Sequence, residues 1–133
     1  MIATSSDFSF QLDGGHDAGA TARRAVVDGD GALPETVRED VLLLVTELVT
    51  NAVRHADVGP EQPLRVEVRR WARRVRVEVA DPGAGFTPVR GTRMSREQPG
   101  GWGLFLVDRI ADRWGVMQAP PGNCVWFEIE YDA

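Results

Sequence analysis

A long amphipathic helix is the feature of this sequence that most constrains its fold. Leu33-Pro34-Glu35 is a good opening for it, because proline is tolerated at a first helical position and an acidic residue there complements the helix dipole. The helix is predicted to run from residue 34 to about residue 56. Its apolar residues recur at three- and four-residue steps: Val41, Leu44, Val45, Leu48, Val49, Ala52, Val53 and Ala56. Since so wide an apolar face has to be buried, the sequence predicts a core built around this helix.

Short alternating segments before and after this helix predict a sheet. Phe8, Phe10 and Leu12 alternate with polar residues, which is typical of a half-buried edge strand. Residues 64–71 and 75–81 alternate in the same way, and we expect them to form a hairpin with residues 72–74 in its turn. Valines and a leucine would then face the core, and charged residues would face solvent: Arg65, Glu67, Arg69, Arg76 and Glu78. Two further strands are predicted around residues 114–118 and 124–131, on either side of a turn at residues 120–123.

The order of these elements points to one fold class. A short helix is predicted at residues 17–27, and helical spacing returns after Gly103. Strand, helix, helix, strand, strand, loop, helix, strand, strand favours an α+β two-layer sandwich, with a mixed or antiparallel sheet and helices on one face. The 133 residues fit a single domain, residues 1–133.

Composition excludes several classes of function. The net charge is −5 and the pI about 5.0, so we expect no direct nucleic-acid partner, because binding phosphate backbones needs a basic face. No apolar run is long enough to span a bilayer, and the N-terminal residues do not resemble a signal peptide. Cys124 is the only cysteine, which leaves no pair for a disulfide and no spacing for structural zinc. We therefore expect a cytoplasmic protein that does not contact a membrane.

The second half of the long helix carries a polar strip. Glu47 and Asn51 are four residues apart, and Arg54 and His55 follow on the same side of the helix. A carboxylate, an amide and two nitrogen bases would then lie along roughly 10 to 12 Å of helix. One interpretation is a ligand-binding edge, and the other is the solvent side of an ordinary amphipathic helix. The helix alone does not decide between them.

Two glycine motifs, at residues 81–86 and 100–104, favour the ligand-binding interpretation. Asp81 ends a predicted strand and enters a glycine turn, where backbone can approach a ligand closely and the carboxylate can accept a hydrogen bond from an exocyclic amine. In the second motif, glycines lead directly into a helix at Leu104, so backbone N–H groups there can bind an anion such as phosphate. Either motif alone is also compatible with an ordinary turn or helix start. Their combination with Glu47 and Asn51, in this order, predicts an adenine-nucleotide site.

The same segments resemble a known superfamily. LVTELVTNAVRHA, DPGAGF and GGWGLFLV resemble the N, G1 and G2 boxes of the GHKL ATPases and kinases. The likeness is strongest to bacterial anti-sigma-factor serine/threonine kinases. It extends over nearly the whole chain, from TARRAVV to the closing GNCVWFEIE. The resemblance implies the Bergerat-type sandwich, ATP and Mg²⁺ as ligands, and an ATP lid at about residues 87–100.

Site roles follow from the resemblance position by position. Glu47 takes the place of the general base, Asn51 that of the Mg²⁺ ligand, and Asp81 that of the adenine-binding residue. The resemblance also implies the remaining nucleotide-binding positions: Arg54, His55, Gly83, Gly85, Phe86, Gly101, Gly103, Leu104 and Cys124. Cys124 stands where relatives commonly carry a threonine near the adenine, and Trp102 replaces a smaller or basic residue. The lid arginines, Arg90, Arg93 and Arg96, either neutralise phosphate charge or only keep the loop soluble.

The resemblance implies a function as well. Such a kinase regulates transcription by binding a sigma factor and by phosphorylating a serine on a STAS-domain anti-anti-sigma protein, usually as a homodimer. The alternative is a nucleotide-dependent protein-binding module without kinase activity. A histidine-kinase fragment is disfavoured, because neither His16 nor His55 has the context of a phosphoacceptor.

Overall fold

The computed structural model describes residues 6–29, 33–55, 63–81, 104–119 and 122–132. Five strands and three helices follow one another in the predicted order. They are β1 (Ser6–Asp13), α1 (Ala18–Gly29), α2 (Glu35–His55), β2 (Pro63–Trp71), β3 (Arg74–Ala80), α3 (Leu104–Ile110), β4 (Arg113–Ala119) and β5 (Gly122–Glu130). The predicted elements are confirmed, and their bounds differ by a few residues at most of the ends.

The five strands form one open, antiparallel sheet in the order β1-β2-β3-β5-β4. β1 is the edge strand that its alternation predicts. The hairpin turn is tighter than expected, because Trp71 pairs directly with Arg74 and only Ala72 and Arg73 lie between the strands. Gly122 and Asn123, which were predicted to lie in the turn before the last strand, belong to β5, and residues 120 and 121 lie outside the described residues. The architecture is the predicted α+β sandwich, with an antiparallel sheet rather than a mixed one.

The core lies between α2 and one face of the sheet. All the residues predicted for the apolar face of α2 that the structure describes are buried, except Val53, which packs against the core and stays partly exposed. Ala56 lies outside the described residues. From the sheet, Leu64, Val66, Val68, Val75, Val77, Val79, Phe127 and Ile129 complete the core. Full burial of one such side chain contributes about 1.5–3 kcal/mol, so this contact is the main source of stability.

Helix α1 packs closely against α2, and a glycine makes this possible. A Cβ atom built on Gly19 would lie 2.5 Å from Thr50 Oγ1 and 3.4 Å from Thr46 Cγ2. The two helices therefore approach more closely than any other residue at position 19 allows without a shift. Because α1 covers a second side of α2, Leu42 is buried although it lies beside the predicted face.

The other face of the sheet carries a network of paired charges. We call this surface, formed by the outward side chains of β2 to β5, the outer face. Glu128 is at the centre of its network, since Arg76 Nη1 donates to its Oε2 at 2.9 Å and Arg113 Nε to its Oε1 at 3.1 Å. The side chain of Glu128 is only 11% exposed. Burial acts to raise its pKa, but the hydrogen bonds from Arg76 and Arg113 hold the pKa of this carboxyl below its ordinary value.

Among the helices that the structure describes, none combines the length and the apolar character needed to cross a membrane.

Replacing Glu128 with glutamine is expected to lower the free energy of unfolding by about 1–3 kcal/mol at neutral pH, because two arginines lose a charged acceptor. A lowered folded-state pKa stabilises the protein above the ordinary glutamate pKa of about 4.3, and this stabilisation is lost as the pH falls through the folded-state value. The difference between wild type and Glu128→Gln should therefore be constant from pH 8 to about pH 5 and shrink below it. Urea unfolding at several pH values measures this difference.

Glu130→Gln is the matched control, because Glu130 lies two residues further along β5 with its side chain 54% exposed. We expect it to change stability by less than about 1 kcal/mol. Equal effects of the two substitutions at every pH would contradict the role given to Glu128.

Candidate functional site

Asn51 is the one polar residue among the buried side chains of α2 that the structure describes. It is 4% exposed, whereas Glu47, one turn earlier, is half-buried. Asn51 Nδ2 donates to the backbone oxygen of Glu47 at 2.7 Å. This bond uses a donor of the amide and leaves its oxygen, Oδ1, as the atom able to accept a hydrogen bond or to bind a metal. Asn51 therefore does not face solvent as a residue of an ordinary polar stripe would, whereas Glu47 does so in part.

Asp81 follows β3 directly and pairs with the start of β5. Its backbone N–H donates to the backbone oxygen of Asn123 at 2.9 Å, which continues the register of the two strands by one residue. Val79 and Val125 form the pair two positions earlier in this register, and they belong to the core or pack against it. Because side chains alternate along a strand, the residue opposite Asp81 shares the helix-facing side of the sheet with them.

Asn123 therefore occupies the position beside Asp81, whereas the resemblance placed Cys124 near the adenine. Asn123 is 5% exposed, so the helix-facing side of the sheet carries a buried amide at this end. The sequence contained a signal for it. With Val125, Phe127 and Ile129 facing the core, the odd-numbered residues of β5 must point to the helices, and Asn123 is one of them.

Cys124 lies on the outer face, opposite Ala80 and Met117. It is 4% exposed, and burial together with the nearby charge of Glu78 raises the pKa of its thiol to about 12. The thiol and the side chain of Asn123 therefore lie on opposite faces of the sheet. Cys124 stands where relatives carry a threonine near the adenine, but its side chain is on the face away from Asn123.

For most of the other predicted site residues, the structure does not describe the side chain. The last turn of α2 contains Arg54 and His55, whose side chains are not among the described ones. Gly83, Gly85, Phe86, Gly101 and Gly103 lie outside the described residues, as do the lid, Trp102 and the lid arginines. Leu104 is the first residue of α3, and its side chain is buried in the core.

Glu47 and Asn51 lie on α2, and Asp81 and Asn123 lie at the paired ends of β3 and β5. α2 contacts β3, the strand that leads into Asp81, and it also contacts α3. Carboxylate and amide groups of Glu47, Asn51, Asp81 and Asn123 thus belong to the layer between helices and sheet or to its edge. These four side chains offer hydrogen-bond acceptors and donors, and none of them is basic. Such a set is suited to binding a nucleotide base that carries an amine and a hard cation.

An open cleft lies at the end of the sheet opposite to Asp81 and Asn123. It has a volume of about 760 Å³ and is lined by the β2–β3 turn, the end of β5 and Asp112. None of the predicted site residues lines it. Within it, Asp112 Oδ2 accepts a hydrogen bond from the backbone N–H of Glu130. Size alone therefore does not identify the site.

The thiol of Cys124 is expected to be unreactive in the folded protein, because a pKa of about 12 leaves it protonated and its burial blocks access. Labelling with a chromogenic disulfide at pH 8 should be at least about 100-fold slower than after unfolding in guanidinium. An unhindered reaction in the absence of denaturant would contradict the placement of the side chain in the sheet.

The chain was compared with known proteins. Residues 17–129 match the histidine kinase-like ATPase domain. A comparison with curated proteins finds no match. The matched range includes α1 to α3, β2 to β4 and nearly all of β5, and with them every predicted site residue. The chain therefore belongs to the histidine kinase-like ATPase family, of the GHKL type found in anti-sigma-factor kinases.

Proposed function

We propose that this protein is an ATP-dependent serine/threonine protein kinase of the anti-sigma-factor type. In this proposal it binds ATP with Mg²⁺, binds a sigma factor, and phosphorylates a serine of a STAS-domain anti-anti-sigma protein, so that transcription is regulated by partner switching. It acts as a homodimer. Family membership supports nucleotide binding, and the arrangement of Glu47 and Asn51 supports the transfer chemistry.

The observation that carries the proposal is the buried amide of Asn51. Burying an amide costs free energy unless its hydrogen bonds are made. The bond to the Glu47 carbonyl satisfies the amide nitrogen, and Oδ1 is the atom of this side chain that can accept from a ligand. A ligand bound at Oδ1 would complete the hydrogen bonding of the buried amide. The other buried residues of α2 are all apolar, so position 51 differs from them for a reason other than packing.

The residues fit a magnesium ion, provided that most of its ligands come from elsewhere. Mg²⁺ prefers oxygen ligands in octahedral geometry and keeps several waters. Asn51 Oδ1 would hold it from the protein side. No cluster of three or more acidic, histidine or cysteine side chains occurs within the described ranges. In this proposal, phosphate oxygens and water supply the remaining ligands. When bound, the ion neutralises charge on the transferred phosphoryl group.

Glu47 is the proposed general base. It accepts the proton of the attacking serine hydroxyl while the serine oxygen bonds to the γ-phosphorus and the bond from that phosphorus to the β-phosphate oxygen breaks, releasing ADP. Its half-buried position is suitable, because the carboxylate can still be reached by a substrate. One helical turn separates it from Asn51, which keeps the base next to the phosphates that Asn51 helps to hold.

Asp81 and Asn123 are the proposed readers of the base. A carboxylate accepts from the exocyclic amine of adenine, and an amide can donate to a ring nitrogen beside it. Guanine presents an acceptor where adenine presents its amine. It would leave the carboxylate unpaired, which discriminates strongly.

Two substitutions on α2 should separate binding from transfer. Glu47→Ala is expected to bind ATP normally but to transfer phosphate at least about 10²-fold more slowly, because a positioned base is lost. Asn51→Ala is expected to weaken Mg²⁺-dependent nucleotide binding itself. Calorimetric titration with ADP and Mg²⁺ measures binding, and radiolabelled ATP with STAS-domain proteins measures transfer.

Glu39→Ala is the matched control, since Glu39 is an exposed carboxylate on the same helix. It should behave as wild type in both measurements. Normal transfer by Glu47→Ala would show that the base is another group. Nucleotide binding by the wild-type protein without any serine phosphate would identify it as a binding module that lacks kinase activity.

Neighbouring residues of β5 offer a test of base recognition. Asn123→Ala is expected to lower ATP affinity about 5- to 50-fold and to reduce the preference for ATP over GTP, because it removes a buried donor. Cys124→Ala should leave both unchanged, since that side chain is on the outer face. A loss of affinity at position 124 but not at position 123 would reverse the assignment.

A further inference from the structure

Strand β4 lies at an edge of the sheet. Its only strand neighbour among the described residues is β5, with which it pairs from Arg113 to Ala119. In an antiparallel ladder, every second residue points its backbone N–H and C=O away from the neighbouring strand, so an edge strand can pair with a further one. Natural edge strands often prevent this with proline or with charged residues along their length. β4 contains no proline, and Arg113 at its start is its only charged residue, so it is open to such pairing.

A pocket lies beside the start of β4. Its volume is about 360 Å³, within the range of roughly 300–1,000 Å³ that is usual for ligand pockets. Trp114 pairs with Phe127 of the core and lies on the helix-facing side, whereas Trp126 lies on the outer face. Because the lining comes from both faces, the pocket wraps around the free edge of the sheet. Its lining residues are Asp108, Ala111, Asp112, Arg113, Trp114 and Trp126.

Both indoles are held in position as walls of this pocket. A Cβ atom on Gly115 would lie 2.9 Å from the indole nitrogen of Trp126 and 3.1 Å from two carbons of the same ring. The glycine therefore lets this indole extend across β4 toward the edge. On the other side of the strand, the indole N–H of Trp114 donates to Oδ1 of Asp108 at 3.0 Å.

The charges in the pocket favour a cationic occupant. Asp108 and Asp112 supply two carboxylates. The cation of the lining, Arg113, is engaged on the outer face, where its Nε donates to Glu128 Oε1 at 3.1 Å and its Nη2 donates to Glu130. A cation between the indoles and the two aspartates is attracted by the ring faces and by the carboxylates.

Two indole walls favour arginine over lysine. A guanidinium is planar, stacks on aromatic rings and can donate two parallel hydrogen bonds to one carboxylate, whereas an ammonium is a compact and strongly hydrated charge. Trp126 already stacks with such a group, since the guanidinium of Arg76 lies 4.2 Å from the centre of its ring. The pocket is therefore chemically suited to a second guanidinium.

We propose that β4 binds an extended peptide segment of a partner protein as a further strand of the sheet, with an arginine of this segment in the pocket between Trp114 and Trp126. Main-chain hydrogen bonds along the edge supply affinity, and the pocket supplies specificity. Glu47 and Asn51 lie on α2 and take no part in this site. The inference therefore goes beyond the proposed function and does not depend on it.

The test is the binding of a short synthetic peptide of alternating valine and threonine with one central arginine, measured by fluorescence anisotropy of an attached dye. We expect a dissociation constant of about 10–100 µM. The same peptide with citrulline, which has nearly the shape of arginine but no charge, should bind at least about 10-fold more weakly. A peptide with proline in place of two threonines should lose as much, because proline has no N–H to donate to the edge.

An aspartate variant tests the pocket itself. Asp108→Asn keeps an oxygen that can accept from the indole of Trp114 but removes the charge, so we expect it to bind the arginine peptide about 5- to 20-fold more weakly. If it does not fold, as judged by circular dichroism, Asp112→Asn takes its place with the same expectation. Glu39→Gln is the matched control, because Glu39 is an exposed carboxylate on α2. It should bind the peptide as wild type does.

NMR spectroscopy shows where the peptide binds. We expect it to shift the indole N–H signals of Trp114 and Trp126 and the amide signals of β4, and to leave those of β1, the other edge strand, unchanged. Absence of binding at about 1 mM peptide, shifts confined to β1, or equal affinity for the arginine and citrulline peptides would overturn the proposal. So would free arginine amide that binds as tightly as the peptide, or an aspartate variant that binds no more weakly than Glu39→Gln. A protein that binds the peptide but not ADP would contradict the proposed function and leave this site standing.

Discussion

Burial of α2 against the sheet is the interaction on which the rest of the structure depends. Its apolar face is wider than one neighbour can cover, so it requires both the valine-rich face of β2 and β3 and the close contact with α1 at Gly19. Packing on two sides fixes the rotation of α2 about its axis. A fixed rotation is what brings the polar pair, Glu47 and Asn51, to a constant position relative to the layer below.

The fold was predictable from patterns that repeat over many residues. Period-two alternation identified the strands, and three- and four-residue spacing identified the helices, because burial of one face leaves the same pattern wherever it occurs. Details that depend on single residues were less accessible. Whether Arg74 belongs to the turn or to β3 is decided by its pairing with Trp71, and local sequence does not encode which of two turn lengths that pairing selects.

The candidate site was predictable to a different extent in each of its parts. Glu47 and Asn51 share one helix, so spacing alone relates them, and the structure adds that Asn51 is buried. The neighbour of Asp81 comes from β5, a strand more than 40 residues later in the chain, and the apolar alternation of that strand decides between Asn123 and Cys124. Resemblance pointed to the right stretch of chain. It could not supply the face of the sheet, because that follows from the apolar residues of this strand.

β5 contributes side chains to both faces of the sheet, and this limits how the strand can vary. One row of its side chains lines the helix layer and includes Asn123, while the alternate row contains Cys124, Trp126 and Glu128. Point substitutions affect one row at a time. Gaining or losing a single residue at the start of the strand would instead exchange the rows, moving charged side chains inward and apolar ones outward. We therefore expect related sequences to keep the length of this segment unchanged even where its composition drifts.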